Sequence, residues 1–409
     1  MSGERATSAT RTFAAGTPSL LKAINERTIL ELIRDEGMLS RAQMARRSGL
    51  SKPTVSQALV GLADAGLVLE TGRSTGRKGP GAALYALNPR SGFVVGLDVG
   101  RNWVRAALAD ITGRFVARTQ ERTERSSGRR VTQIGEIAHR VAAEAGIDWS
   151  HVTHATVGSS GVLDPTSGAL ALAPNLPGWG RHGLVDAIRE QLGADVSFEN
   201  DVNLAALGES WRGAGVGVAN FVFLSVGTGV GLGIVIDGQL FRGAYGAAGE
   251  IAYMPIGHDD PYDPHNRRRG ALEEAAGASG VIRSARALGM RPPLTVKSIF
   301  AAARKGDPVA VRVVEAEAGR IALAIAAVAP ILDPELVILG GGIATGAGDL
   351  LVDPAARELN RLSPFRPRLT VSQLGDDAVV HGAVATALAA AQEQVFNRNR
   401  DPDRRESVV

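Results

Sequence analysis

Lys52, Thr54, Ser56 and Gln57 fall on the outward face of one short segment that reads as a helix, and together they have the chemistry of a DNA reader. A glutamine such as Gln57 can pair bidentately with adenine in the major groove, and Thr54 and Ser56 can reach bases or phosphates. Lys52 beside a helix N-terminus favours phosphate. Ser51 and Gln43, at the two adjoining helix starts, complete this candidate surface. Further on, Arg73, Arg77 and Lys78 stand in a Gly-rich stretch, where they would lie along phosphates or in the minor groove. The plainer alternatives are a solvated basic face and a three-helix module that binds protein. A second chemistry follows from carboxylates and glycines at the ends of apolar runs: Asp98-Val99-Gly100, Gly158-Ser159-Ser160-Gly161, Glu199-Asn200-Asp201 and Gly227-Thr228-Gly229-Val230-Gly231. In open α/β sheets, ligands bind beyond such strand ends. Asn200-Asp201 reads equally well as a plain helix N-cap, and a capping residue at a cleft still offers a free oxygen.

The elements that must carry these residues have their own signals. Residues 1–17 are polar and aperiodic and predict a disordered arm. From Ser19 the pattern turns helical, with Leu21, Ile24, Thr28 and Leu32 along one stripe and Ile29 and Ile33 beside it. Gly37 ends that helix. Ser40 and Gln43 form a capping box for a second helix over Arg41–Arg47. Ser51 caps a third, with Pro53 in its first turn and Val55, Ala58, Leu59 and Leu62 facing inward. Two short helices joined by a Gly-containing turn predict a helix-turn-helix. Two short strands flanking the basic tip, the second over Ala83–Leu87, predict a β-wing. The turn formers Asn88-Pro89-Arg90-Ser91-Gly92 close a domain over residues 18–89. A mixed α/β body then spans residues 90–395, and the charged segment 396–409 predicts a disordered tail.

Charge supports the division. Residues 1–89 hold 12 Lys/Arg against 7 Asp/Glu, whereas the remainder holds 33 against 35. A basic head on a near-neutral body points to an anionic partner, nucleic acid first. Zero Cys in 409 residues excludes disulfides, thiolate catalysis and Cys-ligated metal. Apolar runs such as Ala322–Leu332 are too short to span a bilayer. The first residues, with Glu4 and Arg5, do not read as a secretory signal, so a cytoplasmic location without membrane contact is expected. His182, His258 and His265 are isolated and read as loop residues.

Five blocks in order resemble the ROK family of repressors, open reading frames and sugar kinases. They are Ala173-Pro174-Asn175-Leu176-Pro177-Gly178-Trp179, Glu199–Glu209, Val226–Gly233, Asp237–Ile251 and Ile338–Ile343. They spread across residues 93–390, and a winged helix-turn-helix ahead of them is similar to the repressor branch. The resemblance implies a two-lobed actin-like (ribonuclease H-like) α/β body. It also implies sugar contacts at Asn175, Asn200, Asp201, Glu250 and Glu273, because carboxylates and amides bridge neighbouring hydroxyls. In the kinases, the residue matching Asp201 is the general base. ATP-using members carry Asp-x-Gly-Gly-Thr where this chain reads Asp98-Val99-Gly100-Arg101-Asn102, which speaks against phosphoryl transfer. Many members also hold structural zinc through one His and three Cys. Here Pro264–Glu273 has none of the Cys, and Tyr253 stands at the His position. No metal or other cofactor is therefore expected, and Tyr253 joins the candidate ligand residues.

The expectation is a sugar-responsive transcriptional regulator, a repressor by branch, without catalytic activity. Its partners are a palindromic double-stranded operator, a sugar or sugar phosphate, and a second copy of itself in a dimer or larger homo-oligomer. The alternatives are an active ATP-dependent sugar kinase with a fused DNA module, and a regulator with a vestigial cleft controlled by a protein partner.

Overall fold

The computed structural model describes residues 18–74, 81–163, 170–171, 176, 178–180, 182–256 and 264–398. The chain divides into two compact units, residues 1–91 with 393–409, and residues 92–392. The expected arm and the wing-tip residues Arg77 and Lys78 lie outside the described residues.

The first unit contains α1 (Pro18–Glu36), β1 (Leu39–Ser40), α2 (Arg41–Ser48), α3 (Lys52–Asp64), β2 (Val68–Arg73) and β3 (Ala83–Leu87). The capping box forms: Ser40 Oγ accepts from the Gln43 N–H at 3.4 Å, and Gln43 Oε1 accepts from the Ser40 N–H at 2.9 Å. Gly49 closes α2 at φ 72°, a left-handed turn that lets α3 begin three residues later. Ser51 caps α3, and Val55, Ala58, Leu59 and Leu62 are all buried. They pack with Met44, Leu39, Val68 and Tyr85. Two expectations need correction. The buried face of α1 is Ala23, Ile29 and Ile33, whereas Leu21 and Ile24 are 56% and 51% exposed. Ile29 and Ile33 are one turn apart and stack on the core, which leaves the Leu21/Ile24/Thr28 stripe on an adjoining face. The wing is also a three-stranded sheet in the order β1-β3-β2. Two residues, Leu39 and Ser40, are too few to show a period.

The second unit repeats one plan twice. Its first half contains β4 (Phe93–Val99), β5 (Trp103–Asp110), β6 (Phe115–Arg122), α4 (Ser127–Glu144), β7 (Val152–Ser159), a hairpin of β8 (Val162–Leu163) and β9 (Leu170–Ala171), α5 (Leu184–Leu192), β10 (Asp195–Asn200) and α6 (Asp201–Arg212). The second half opens with β11 (Phe221–Val226), β12 (Val230–Ile236) and β13 (Gln239–Leu240). The helices α7 (Pro264–Arg269), α8 (Ala271–Ala276), α9 (Ala278–Ala287), α10 (Val296–Arg304) and α11 (Pro308–Leu332) follow. Then come β14 (Leu336–Gly340), α12 (Gly341–Ala347), α13 (Asp349–Leu362), β15 (Arg368–Val371) and α14 (Ala378–Arg398). The sheets run β10-β7-β4-β5-β6 and β13-β12-β11-β14-β15. Each has an antiparallel meander of three strands extended by two parallel strands. This is the two-lobed actin-like arrangement. The helix α14 reaches Arg398, so residues 396–398 are helical rather than a disordered tail, and residues 393–395 group with the first unit rather than with the body.

The closing helices of the two halves meet. Seen from Gly208 on α6, an added Cβ would strike the Ala378 carbonyl oxygen, and one on Gly382 of α14 would strike the Leu204 carbonyl oxygen. Only glycine admits backbones this close. The helix α6 packs on the second sheet, since a Cβ at Gly233 would meet Ala206 and Val202. The helix α14 packs on the first, since one at Gly96 would meet Val384.

Candidate functional site

The cleft forms where strands end. Asn200 ends β10 and caps α6: its Oδ1 accepts from the N–H groups of Val202 (2.9 Å) and Asn203 (3.3 Å). Its Nδ2 donates to the Gly161 carbonyl at 3.1 Å. Most of the hydrogen-bonding capacity of Asn200 is thus spent on the scaffold. Asp201 follows in the first turn of α6, where Oδ2 accepts from Ser160 Oγ at 2.9 Å. Burial holds its carboxyl above the usual range against the opposing hydrogen bonds.

Three more expected residues face the same cavity. Glu250 lies beyond β13, and burial, then the charges of Asp201 and Glu273, push its carboxyl up to about 7. Glu273 on α8 is 5% exposed, and its Oε2 accepts from the Val230 N–H at 3.3 Å. Burial raises its carboxyl too, opposed by that backbone bond and by Arg269. The Tyr253 phenol is raised by burial and by these two acids. The cavity measures about 240 Å³ and is lined by Asn200, Asp201, Glu250, Tyr253 and Glu273 among others. That is below the roughly 300–1,000 Å³ of drug-sized pockets and suits a single small ring. Asn175 lies outside the described residues. The cavity lining also includes Ser160 and Arg269, which were not among the expected ligand residues. Ser160 belongs to a Gly-Ser-Ser-Gly strand end, which is a usable signal, whereas Arg269 sits in an Arg267-Arg268-Arg269 run that by itself points to no ligand.

A second cavity of about 600 Å³ shares Gly227, Thr228 and Gly342 with the first, and adds Asn102, Lys297, Phe300 and Arg304. At the end of β4, Asp98 is 5% exposed and Arg105 Nη1 donates to its Oδ2 at 3.0 Å. Arg105 Nη2 also reaches Asp376 at 3.4 Å. Burial, only partly offset by Arg105, pushes the Asp98 carboxyl up to about 7.

In the first unit, Lys52, Gln57, Ser51 and Arg73 are exposed, and Thr54 and Ser56 are half-buried. Ser51 and Thr54 are hydroxyl partners at 2.7 Å. Gln43 Oε1 is held by Ser40, so its free group is the amide NH2. Arg41 lies 5.2 Å over the Tyr85 ring and donates to its hydroxyl, tying α2 to the wing.

Raised carboxyls set a pH dependence. Glu250 and the fully buried Glu317 of α11 (about 8, burial against Arg320) keep their protons in the folded chain to higher pH than the ordinary 4.5. Between pH 4.5 and about 7–8 the folded state binds more protons than the unfolded one, so stability falls as pH rises. The unfolding midpoint is expected to be higher at about pH 5.5 than at about pH 8, and Glu317→Gln should flatten the slope. Calorimetry across that range that found stability rising steadily with pH would contradict this assignment.

The sequence profile of the ROK family matches residues 94–390, and a winged helix-turn-helix DNA-binding profile matches residues 23–68. A xylose repressor of Caldicellulosiruptor bescii is 27% identical over 392 residues, covering 91% of this chain and 98% of that protein. A glucokinase of Halalkalibacterium halodurans is 31% identical over 309 residues, 71% of this chain and 93% of the relative. The crystal structure of a ROK family transcriptional regulator, a homologue of the Escherichia coli MLC protein, superposes with a TM-score of 0.75. It is 24% identical and covers 93% of this chain and 99% of its own.

Proposed function

The chain belongs to the ROK family, and from that membership, a winged DNA-binding head and an acid-lined cavity, we propose that it is a transcriptional regulator of carbohydrate-metabolism genes. The head binds a double-stranded operator. A sugar enters the cavity between the lobes and contacts Asp201, Glu250, Tyr253 and Glu273, with Asn200 holding the frame. Binding changes the separation of the lobes and shifts the population away from the DNA-competent form, which is repressor logic. One head makes few base contacts, so the operator holds two half-sites read by a homodimer in the cytoplasm. Among the described residues, no helix is long and apolar enough to cross a membrane.

The observation that carries this reading is the convergence of three carboxyls and a phenol on one small cavity, in a chain whose α3 presents Lys52 and Gln57 to solvent. The test is selection of bound genomic fragments by the full-length protein, at fixed salt, with and without D-xylose, D-glucose and N-acetylglucosamine. One sugar should release the selected operator. Gln57→Ala should weaken specific binding by about 1–3 kcal/mol while leaving bulk DNA binding intact. Release by none of the sugars, at any concentration that the protein tolerates, would defeat the sensor half.

The larger cavity beside Gly227 and Thr228, with Lys297 and Arg304, favours a second reading as an ATP-dependent sugar kinase. Against it, Asp98, which would help place Mg²⁺, is buried with Arg105 as its counter-charge. Arg101 and Asn102 stand where ATP-using members carry Gly and Thr. ATP consumption with hexoses, abolished by Asp201→Asn, would decide for the kinase.

A further inference from the structure

Family members that bind zinc use it to fasten the segment that here runs from Pro264 to Glu273. The donors present do not fit that ion: Pro264 and Ala271 offer no ligand atom, Asn266 has an amide and Tyr253 a phenol, whereas tetrahedral zinc takes thiolate, imidazole or carboxylate. Among the described residues, no group of three His, Cys, Asp or Glu could hold a metal. Yet the segment is tightly held. Glu274 on α8 is 6% exposed and sits between two guanidinium groups. Arg269 Nε, at the end of α7, lies 3.2 Å from its Oε1, and Arg283 Nη1, on α9, lies 3.3 Å from its Oε2. Arg283 also donates to the Glu274 backbone carbonyl. Arg269 Nη2 in turn approaches Glu273 Oε1 at 3.6 Å. Three successive helices are thus laced through one buried carboxylate, and the neighbouring residue is the acid that faces the cavity.

We propose that the Arg269–Glu274–Arg283 ion pairs replace a metal as the fastener of residues 264–277, and that Arg269 and Arg283 are positioning residues for Glu273. Glu274 is buried while Arg269 and Arg283 are 35% and 55% exposed, so removing Arg283 leaves a carboxylate in a dry site with one of its two counter-charges gone and loosens the local structure. Arg283 does not line the cavity, so it acts on Glu273 only through Glu274. The fastening stands on its own geometry, and its consequence for ligand binding rests on the sugar reading above.

The test is amide hydrogen exchange on the full-length wild type, Arg283→Met and Arg283→Lys, each with and without EDTA, alongside metal analysis of the purified chain. Arg283→Met should speed exchange across residues 264–277 by about tenfold or more and leave β11 and β12 unchanged. Arg283→Lys, which keeps the charge, should restore most of the protection. EDTA should leave the wild type unaltered. Unchanged exchange in Arg283→Met, a uniform rise over both sheets, exchange accelerated by EDTA, or stoichiometric zinc would each overturn the proposal. Failure of D-xylose, D-glucose and N-acetylglucosamine to bind would instead remove the sugar reading and leave the exchange result in place.

Discussion

Gly382→Val should lower the unfolding midpoint of the body sharply, by roughly 5 °C or more. A Cβ at this position falls on the Leu204 carbonyl oxygen, and its counterpart at Gly208 falls on the Ala378 carbonyl oxygen. Neither obstacle is a side chain that can rotate away, so α6 and α14 must separate. Overpacking a core costs about 1–3 kcal/mol even where side chains can yield, and a valine wedged between two backbones belongs at the top of that range. A contrasting substitution is available in the same unit. Gly319 lies within α11 and nothing stands within 4 Å of its would-be Cβ. Gly319→Ala should be neutral or stabilising by up to about 1 kcal/mol, from helix propensity alone. Scanning calorimetry of the two variants separates them. Equal midpoints would mean that the helix crossing is looser than described.

Asp201→Ala should weaken sugar binding by about a hundredfold and leave operator binding without sugar intact. Its carboxyl is held by Ser160 and by the Val202 N–H, and it faces Glu250 across the cavity. A sugar hydroxyl desolvated against a missing acceptor forfeits a charge-assisted hydrogen bond, worth about 1.5–3 kcal/mol. Calorimetric titration and operator release, measured on the same preparation, give the two readouts. A variant that released DNA at the wild-type sugar concentration would exclude Asp201 from the binding set.

Local periodicity made much of this molecule readable in advance. The apolar runs of β4 and β11, the inward face of α3 and the Ser40–Gln43 capping box depend on neighbours within a few residues, and the spacing of apolar and capping residues reports that range. The ordered motif blocks brought Asp201 and Glu250 into consideration without any geometry, and the resemblance over residues 253–273 brought in Tyr253 and Glu273. Other features depend on partners distant in the chain. The sequence of α1 offers two adjoining apolar stripes, and only packing against the rest of the head chooses between them. Asn200 was legible as the cap of α6, but the bond from its amide NH2 to the Gly161 carbonyl joins it to a strand end far back in the chain. The run Arg267-Arg268-Arg269 carries no sign of what Arg269 meets, because the acids that hold it follow on the next helix and a charge run alone does not reveal its counter-ions. The meeting of Asp98, Arg105 and Asp376 spans most of the body and has no local signature.

The exchange of closing helices between the halves has a consequence for biosynthesis. The helix that completes the first sheet, α14, comes from the far end of the chain, after every strand of the second half. A ribosome releases residues 93–200 long before residues 378–392 exist. The first half must therefore wait, with the face of β4 around Gly96 uncovered, until residues 378–392 have been made. Loss of residues 378–392 would therefore expose the sheet that was made first.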